Sequence, residues 1–202
     1  MDDHPRDPQP TLTGTRVRLR PWRAEDAPAV FAACQDAELQ RWTTVPVPYL
    51  LEHAQQFVGE VATSTWAEGG ALFAVESLAD DSFVGSMGLH GAREGVASAG
   101  YWTAIDQRGR GLTAEALRVL SDWALDIVGV HRVELIADPA NVGSNRVAER
   151  AGFTAEGLLR SRYLHRGTPS DVVLWSLLST DRPARSATRS AEATTEGQPP
   201  LS

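Results

Sequence analysis

Two glycines in Arg108-Gly109-Arg110-Gly111-Leu112-Thr113 separate an apolar strand-like run, Ala99 to Ile105, from a helix-like run, Ala114 to Val128. A strand, a sharp loop and a helix are thereby set in succession. Glycine lets backbone turn tightly and approach an anion, and the free N–H groups and positive dipole end of the following helix point to the same place. Arg108 and Arg110 add charge there. The stretch reads as a loop built to hold phosphate.

It matches neither familiar phosphate loop. A P-loop needs four residues between its first glycine and Gly-Lys-Ser/Thr, but Leu112 and Thr113 follow Gly111. A dinucleotide fingerprint needs G-x-G-x-x-G, and Ala114 fills the third glycine position.

The flanking pattern predicts a mixed α/β domain of the α+β type over 11–180. Val17-Arg18-Leu19-Arg20 alternates as a half-buried strand, and a helix is expected from about Ala24 to Leu39, with Glu25 and Asp26 at its start. Thr43 to Tyr49 carries two prolines and reads as a binding loop before a second helix, Leu51 to Ala67. Ala71–Glu76, Phe83–Gly91 and Val96–Ile105 read as an antiparallel meander. After the loop, Ala116, Val119, Leu120, Trp123, Ile127 and Val128 form a core-facing helical stripe. A strand His131–Ala137, a helix Asn141–Ala151 and a buried strand Val172–Leu178 complete the order. That order is not a doubly wound series, so the expected sheet is mixed and mostly antiparallel, with about six to seven strands flanked by helices.

Residues 1–10 and 183–202 are rich in Pro, Ser, Thr and Ala and read as disordered tails. Nothing at the start resembles a signal peptide and no apolar run is long enough to span a membrane, so the expected compartment is cytoplasmic. The net charge of −7 argues against a nucleic-acid partner. The single cysteine, Cys34, excludes a disulfide framework and reads as core; the histidines at 4, 53, 90, 131 and 165 show no ligand spacing, so no metal is expected.

Arg108 to Thr113 resembles the Q/R-x-x-G-x-G/A loop of the GNAT superfamily of N-acetyltransferases, with Thr113 where Gly or Ala is usual. A second run, Asn141-x-x-Ser144-x-x-Val147-x-x-Arg150-x-Gly152-Phe153 followed by Glu156-Gly157-Leu158-Leu159-Arg160, resembles the helix and Gly-Phe turn that close the coenzyme site there. With Gly100-Tyr101-Trp102 and Asp171-Val172-Val173, the chain is similar to the RimJ/RimL-like ribosomal-protein N-terminal acetyltransferase branch over about residues 11–180. The resemblance implies the GNAT fold, acetyl-CoA as acyl donor, and a primary amine as acceptor, either a protein N-terminus or a small molecule. A homodimer is left open.

The resemblance places acetyl-CoA against Trp102, Ile105, Arg108, Gly109, Arg110, Gly111, Leu112, Thr113 and Asn141. Asn141 can offer a donor and an acceptor to pantetheine amides, or cap its own helix. Ser144 shares a helix face with it and either assists the departing thiolate, as its position in the branch implies, or satisfies its own backbone. Arg146, Arg150 and Arg160 are contacts for the 3′-phosphate or solvated surface arginines.

Transfer to an amine needs a neutral nucleophile, a polarised thioester carbonyl and a proton for the leaving thiolate, without a covalent enzyme intermediate. Tyr163 is the leading proton donor, because a phenol keeps its proton at neutral pH; otherwise it is an ordinary half-buried tyrosine. The segment Ala97 to Trp102 holds no acid to serve as base, and Glu115 suits the helix dipole or a salt bridge, so water is the expected proton carrier. The carbonyl would be polarised by backbone N–H groups where the strand ending near Ile105 splays from its neighbour. Trp42 and Tyr49 flank Pro46-Val47-Pro48 and are the candidates for the amine pocket. A non-catalytic acyl-CoA sensor is the alternative.

Overall fold

The computed structural model describes residues 7–182. Its strands are β1 (Leu12–Thr13), β2 (Val17–Pro21), β3 (Ala71–Ser77), β4 (Phe83–Arg93), β5 (Val96–Thr103), β6 (Arg132–Ala137), β7 (Thr154–His165) and β8 (Thr168–Leu178). They form one sheet in the order β1-β2-β3-β4-β5-β6-β8-β7. Every neighbouring pair is antiparallel except β5 and β6.

That one parallel pair is made by the crossover helix α5 (Leu112–Trp123), since parallel neighbours cannot be joined by a hairpin. Leu112, Ala116, Leu117 and Leu120 of α5 are buried against Phe73, Met87, Leu89 and Val133 of the sheet. Burying a leucine such as Leu117 or Leu120 contributes roughly 2 kcal/mol. Helix α6 (Val142–Arg150) adds Ala148 to the same core, and Phe153 of the Gly-Phe turn closes it.

The opposite face carries α1 (Ala27–Ala33), α2 (Ala37–Trp42) and α3 (Leu51–Gln56); a π-helical stretch, Phe57–Val61, continues α3 into α4 (Ala62–Ala67), whose Trp66 stacks on Trp123 of α5. Ala27, Val30, Cys34, Leu39, Tyr49, Ala54 and Val58 form a second core here, with Trp22, Phe83 and Trp102 packed on it.

The mixed, mostly antiparallel sheet flanked by helices is as the sequence predicts, but it has eight strands. The additional ones are the two-residue β1 and the twelve-residue β7. β7 is an edge strand, largely exposed, and has little of the apolar alternation that marks a half-buried strand. The single helix expected over 24–39 is broken: α1 ends at Ala33, and Asp36 starts α2 by accepting the Leu39 N–H at 2.9 Å. Ile127 leaves the expected core stripe and is 75% exposed, because the chain from Ala124 to Val128 widens to a π-helical turn that shifts the phase of the face.

Of the two predicted tails, residues 1–6 and 183–202 lie outside the described residues. The stretch from Asp7 to Pro10 is tied down: the Trp66 indole donates to the Asp7 carbonyl and the Gln9 amide to the Leu72 carbonyl, each at 2.9 Å.

Candidate active site

Strands β5 and β6 pair only at Val96–Arg132, Ala97–Val133 and Ser98–Glu134. Beyond those three positions they diverge, leaving the β5 edge from Ala99 to Thr103 without a neighbour on that side. A cleft of about 570 Å³ fills the gap, with β5 residues 98–103 on one wall and Leu135–Asp138 on the other. It is closed above by Glu38, Arg41 and Trp42 of α2 and below by Asn141, Ser144 and Val147 of α6 and its entry. Tyr163, His165 and Ser170 of the β7–β8 hairpin and His90 of β4 complete the lining.

At one end the cleft meets Arg108, Gly109 and Thr113. Gly109 and Gly111 have φ of +75° and +78°, the left-handed region in which side chains are strained. Gly111 is the N-cap of α5, so no side chain caps the first-turn N–H groups of that helix. A twelve-residue helix therefore presents uncapped donors to the cleft's end, and an anion there would complete them.

The loop is held from behind by Arg16, which sequence reasoning left unassigned. Its guanidinium donates to the Arg110 carbonyl at 3.2 Å and pairs with Glu115 at 2.8 Å. Burial opposes ionisation of Glu115, but hydrogen bonds from the Arg16 N–H and side chain hold its carboxyl below the ordinary range. Glu115 thus makes the salt bridge that was one of its two expected roles.

The arginines of the loop do not converge on the helix end. Arg108 pairs with Asp36 and, at 2.9 Å, with Glu38, tying the loop to α2. Burial raises the Asp36 carboxyl, and the Arg108 and backbone hydrogen bonds outweigh it, leaving a net lowering. Arg110 donates to the Gln107 side chain and is exposed. Thr113 spends its hydroxyl on Thr103, Oγ1 to Oγ1 at 2.7 Å.

Asn141 is the N-cap of α6, its Oδ1 accepting the Ser144 N–H at 3.0 Å. Its amide nitrogen has no partner among the described residues and borders the cleft. Ser144 Oγ lies 3.0 Å from the hydroxyl of Tyr101, whose ring comes from the β5 wall. Burial pushes the Tyr101 phenol up to about 12, against a smaller opposite pull from Ser144. Asn145 anchors this arrangement: its amide donates to the Asp138 and Asn141 carbonyls at 2.9 and 2.8 Å and accepts the Trp175 indole at 2.9 Å. Neither Tyr101 nor Asn145 was singled out from the sequence, although Tyr101 lay within a recognised motif.

The cleft brings together Trp42, Trp102, Arg108, Gly109, Thr113, Asn141, Ser144 and Tyr163 of the predicted site. Arg110, Gly111, Leu112, Ile105 and Tyr49 do not line it. Leu112 is 4% exposed in the core, whereas Ile105 is 63% exposed in the turn after β5. Tyr49 is buried and bonded to Cys34; burial pushes that thiol up to about 11 while the Tyr49 bond opposes it. Trp42 lies under the Arg41 guanidinium at 4.6 Å. Among the described residues no group of three or more His, Cys, Asp or Glu is placed to hold a metal ion, and no helix is long and apolar enough to cross a membrane.

Residues 16–154 match the model of the "Acetyltransferase (GNAT) domain" family. The chain is 25% identical over 171 residues to the uncharacterized N-acetyltransferase YoaA of Bacillus subtilis, covering 84% of this chain and 97% of that one. The fold superposes on Mycobacterium smegmatis RimJ in complex with CoA-disulfide with a TM-score of 0.75 and 27% identity, covering 86% of this chain and 90% of that one. A GCN5-related N-acetyltransferase from Brucella melitensis has the same fold, with a TM-score of 0.73 at 24% identity over 89% of this chain and 83% of that one.

Proposed function

The chain belongs to the GNAT acetyltransferase family and is an acetyltransferase, and from that premise we propose that it transfers the acetyl group of acetyl-CoA to a primary amine by direct attack on the thioester. The observation that carries the reading is the opened β5–β6 gap ending at the uncapped start of α5. A pantetheine arm fits beside the free β5 edge as a pseudo-strand, with its pyrophosphate at the Gly109–Gly111 turn. RimJ, solved with a CoA disulfide, has this fold, which supports coenzyme A as the ligand.

The chemistry divides between the two walls. Backbone N–H groups of the β5 edge polarise the thioester carbonyl as it becomes an oxyanion. The amine enters on the α2 side, between Trp42 and Trp102, and attacks. The C–N bond forms, the C–S bond breaks, and the thiolate takes a proton from Ser144 or Tyr163. Asn141 offers its amide to the pantetheine. The acceptor is either a protein N-terminus or a small amine.

The test is thermal shift with acetyl-CoA, followed by thiol release across a panel of N-terminal peptides and small amines. Stabilisation with amine-dependent thiol release is expected. No stabilisation rejects coenzyme binding, and stabilisation without release on any amine rejects acetyl transfer to amines.

A further inference from the structure

The segment Ala97 to Trp102 holds no acid, which leaves water as the expected carrier of the amine's proton; the β4 strand supplies a side chain for the task. Met87 and Leu89 of β4, with Ala97, Ala99 and Tyr101 of β5, pack on the α5 side of the sheet. Alternation therefore turns His90, Ser98, Gly100 and Trp102 to the opposite face, where α2 covers the cleft. His90 pairs with Ser98, and its ring reaches back across the neighbouring pair Gly88–Gly100. Its Nε2 lies 3.0 Å from where a Cβ on Gly88 would be and 3.6 Å from one on Gly100. Two facing glycines thus leave a trough in which the imidazole lies, with its edge on the cleft.

We propose that His90 is the general base of the acetyl transfer, its Nε2 taking the proton that the amine loses as the C–N bond forms. This inference rests on the acetyltransferase reading given above. The proton leaves the imidazolium to solvent through the cleft mouth, while the thiolate is protonated separately from the α6 or β7 side.

Other groups on the cleft are less suited. Its carboxylates are Glu38 and Asp138; Glu38 holds Arg108 at 2.9 Å, and Asp138 accepts the Ala140 N–H at 2.8 Å. Arg41 and Arg108 are cations, and burial keeps the Tyr101 phenol protonated. His165 lies at the hairpin end of β7, its ring 6.2 Å from that of Tyr163. His90 is solvent-reachable through the cleft, yet the protein around it desolvates the ring enough to hold its pKa below the ordinary value. An imidazole so placed is neutral, and able to accept a proton, at pH 7.

The experiment measures kcat/KM for the best acceptor of the amine panel from pH 5.5 to 9 in wild type, His90→Gln, His90→Asn and His165→Gln, with acetyl-CoA affinity by calorimetry. NMR titration of the His90 imidazole in the coenzyme complex accompanies it. On acidification wild type should lose activity through the acceptor's own ammonium ionisation, shared by every variant, and through a second acid limb below about 6.5 that matches the NMR midpoint. Both His90 variants should fall by about 10²-fold at pH 7.5, lose that acid limb and bind acetyl-CoA within about twofold of wild type. Retention of the limb in either His90 variant, its disappearance in His165→Gln alone, or an NMR midpoint above neutrality would overturn the assignment of His90. A wild type that binds no coenzyme or acetylates no amine overturns the parent reading instead, so the two failures are distinguishable.

Discussion

The Tyr101 hydroxyl donates to the Ser144 carbonyl at 3.1 Å and stands 3.0 Å from Ser144 Oγ, joining the β5 wall of the cleft to the first turn of α6. Because burial holds the phenol protonated, it fixes the orientation of Ser144. Tyr101→Phe should lower kcat about tenfold, or about 1.4 kcal/mol, with the KM for acetyl-CoA within about twofold. In the double variant with Ser144→Ala the effects should be less than additive, as expected for side chains in one network. Stopped-flow thiol release compares the three.

Arg108 was expected at the phosphate; its guanidinium pairs with Asp36 and Glu38 and donates to the Thr103 carbonyl at 3.3 Å. Arg108→Gln should therefore release α2 from the loop and raise the acceptor KM about fivefold, leaving the acetyl-CoA Kd within about twofold; fivefold is about 1 kcal/mol, part of what the two lost ion pairs hold. A tenfold loss in coenzyme affinity with unchanged acceptor KM would return Arg108 to the phosphate.

Thr113 departs from the family loop, and its hydroxyl is occupied by Thr103. Thr113→Ala should cost about 1 kcal/mol of stability through that lost bond while changing coenzyme affinity less than about threefold. Chemical denaturation and calorimetry read the two effects separately.

Away from the cleft, Arg20 is 6% exposed and lies between Asp26, which it grips with two hydrogen bonds of 2.7 Å, and Glu76. Burial opposes ionisation of both carboxyls, but the arginine hydrogen bonds prevail and lower them. Carboxyls lowered in the fold contribute stability that is fully present above the ordinary carboxylate range and is lost as pH falls through their folded values. The melting temperature should hold from pH 7 to about 5 and drop below about 4. Glu76→Ala should cost about 3 kcal/mol at pH 7 and flatten that drop, as measured by urea unfolding at several pH values.

These residues also show what the sequence could reveal. The loop, α5 and the Asn141 helix were legible because glycine conformation and helical spacing are local properties. Tyr163 and Trp102 were placed in the site by resemblance, and both line the cleft. The pairing of Arg108 with Asp36 spans 72 residues, and that of Arg16 with Glu115 spans 99, so no local pattern announces either. β7 escaped notice because an exposed edge strand needs no apolar alternation. His90 reads in the sequence only as a histidine without ligand spacing, and the Gly88–Gly100 trough in which it lies exists only once β4 and β5 are in register.

The three-residue contact between β5 and β6 makes the sheet two plates on a short hinge. Strands β1 to β5 form one plate and β6, β8 and β7 the other, and the gap proposed for the coenzyme is also the seam along which the sheet is least sewn together. A pantetheine arm bonded to both plates would act as a staple. Amide exchange in β6 and β8 should accordingly slow more than in β2 and β3 if acetyl-CoA binds there, the bound arm serving as the strand that the seam lacks.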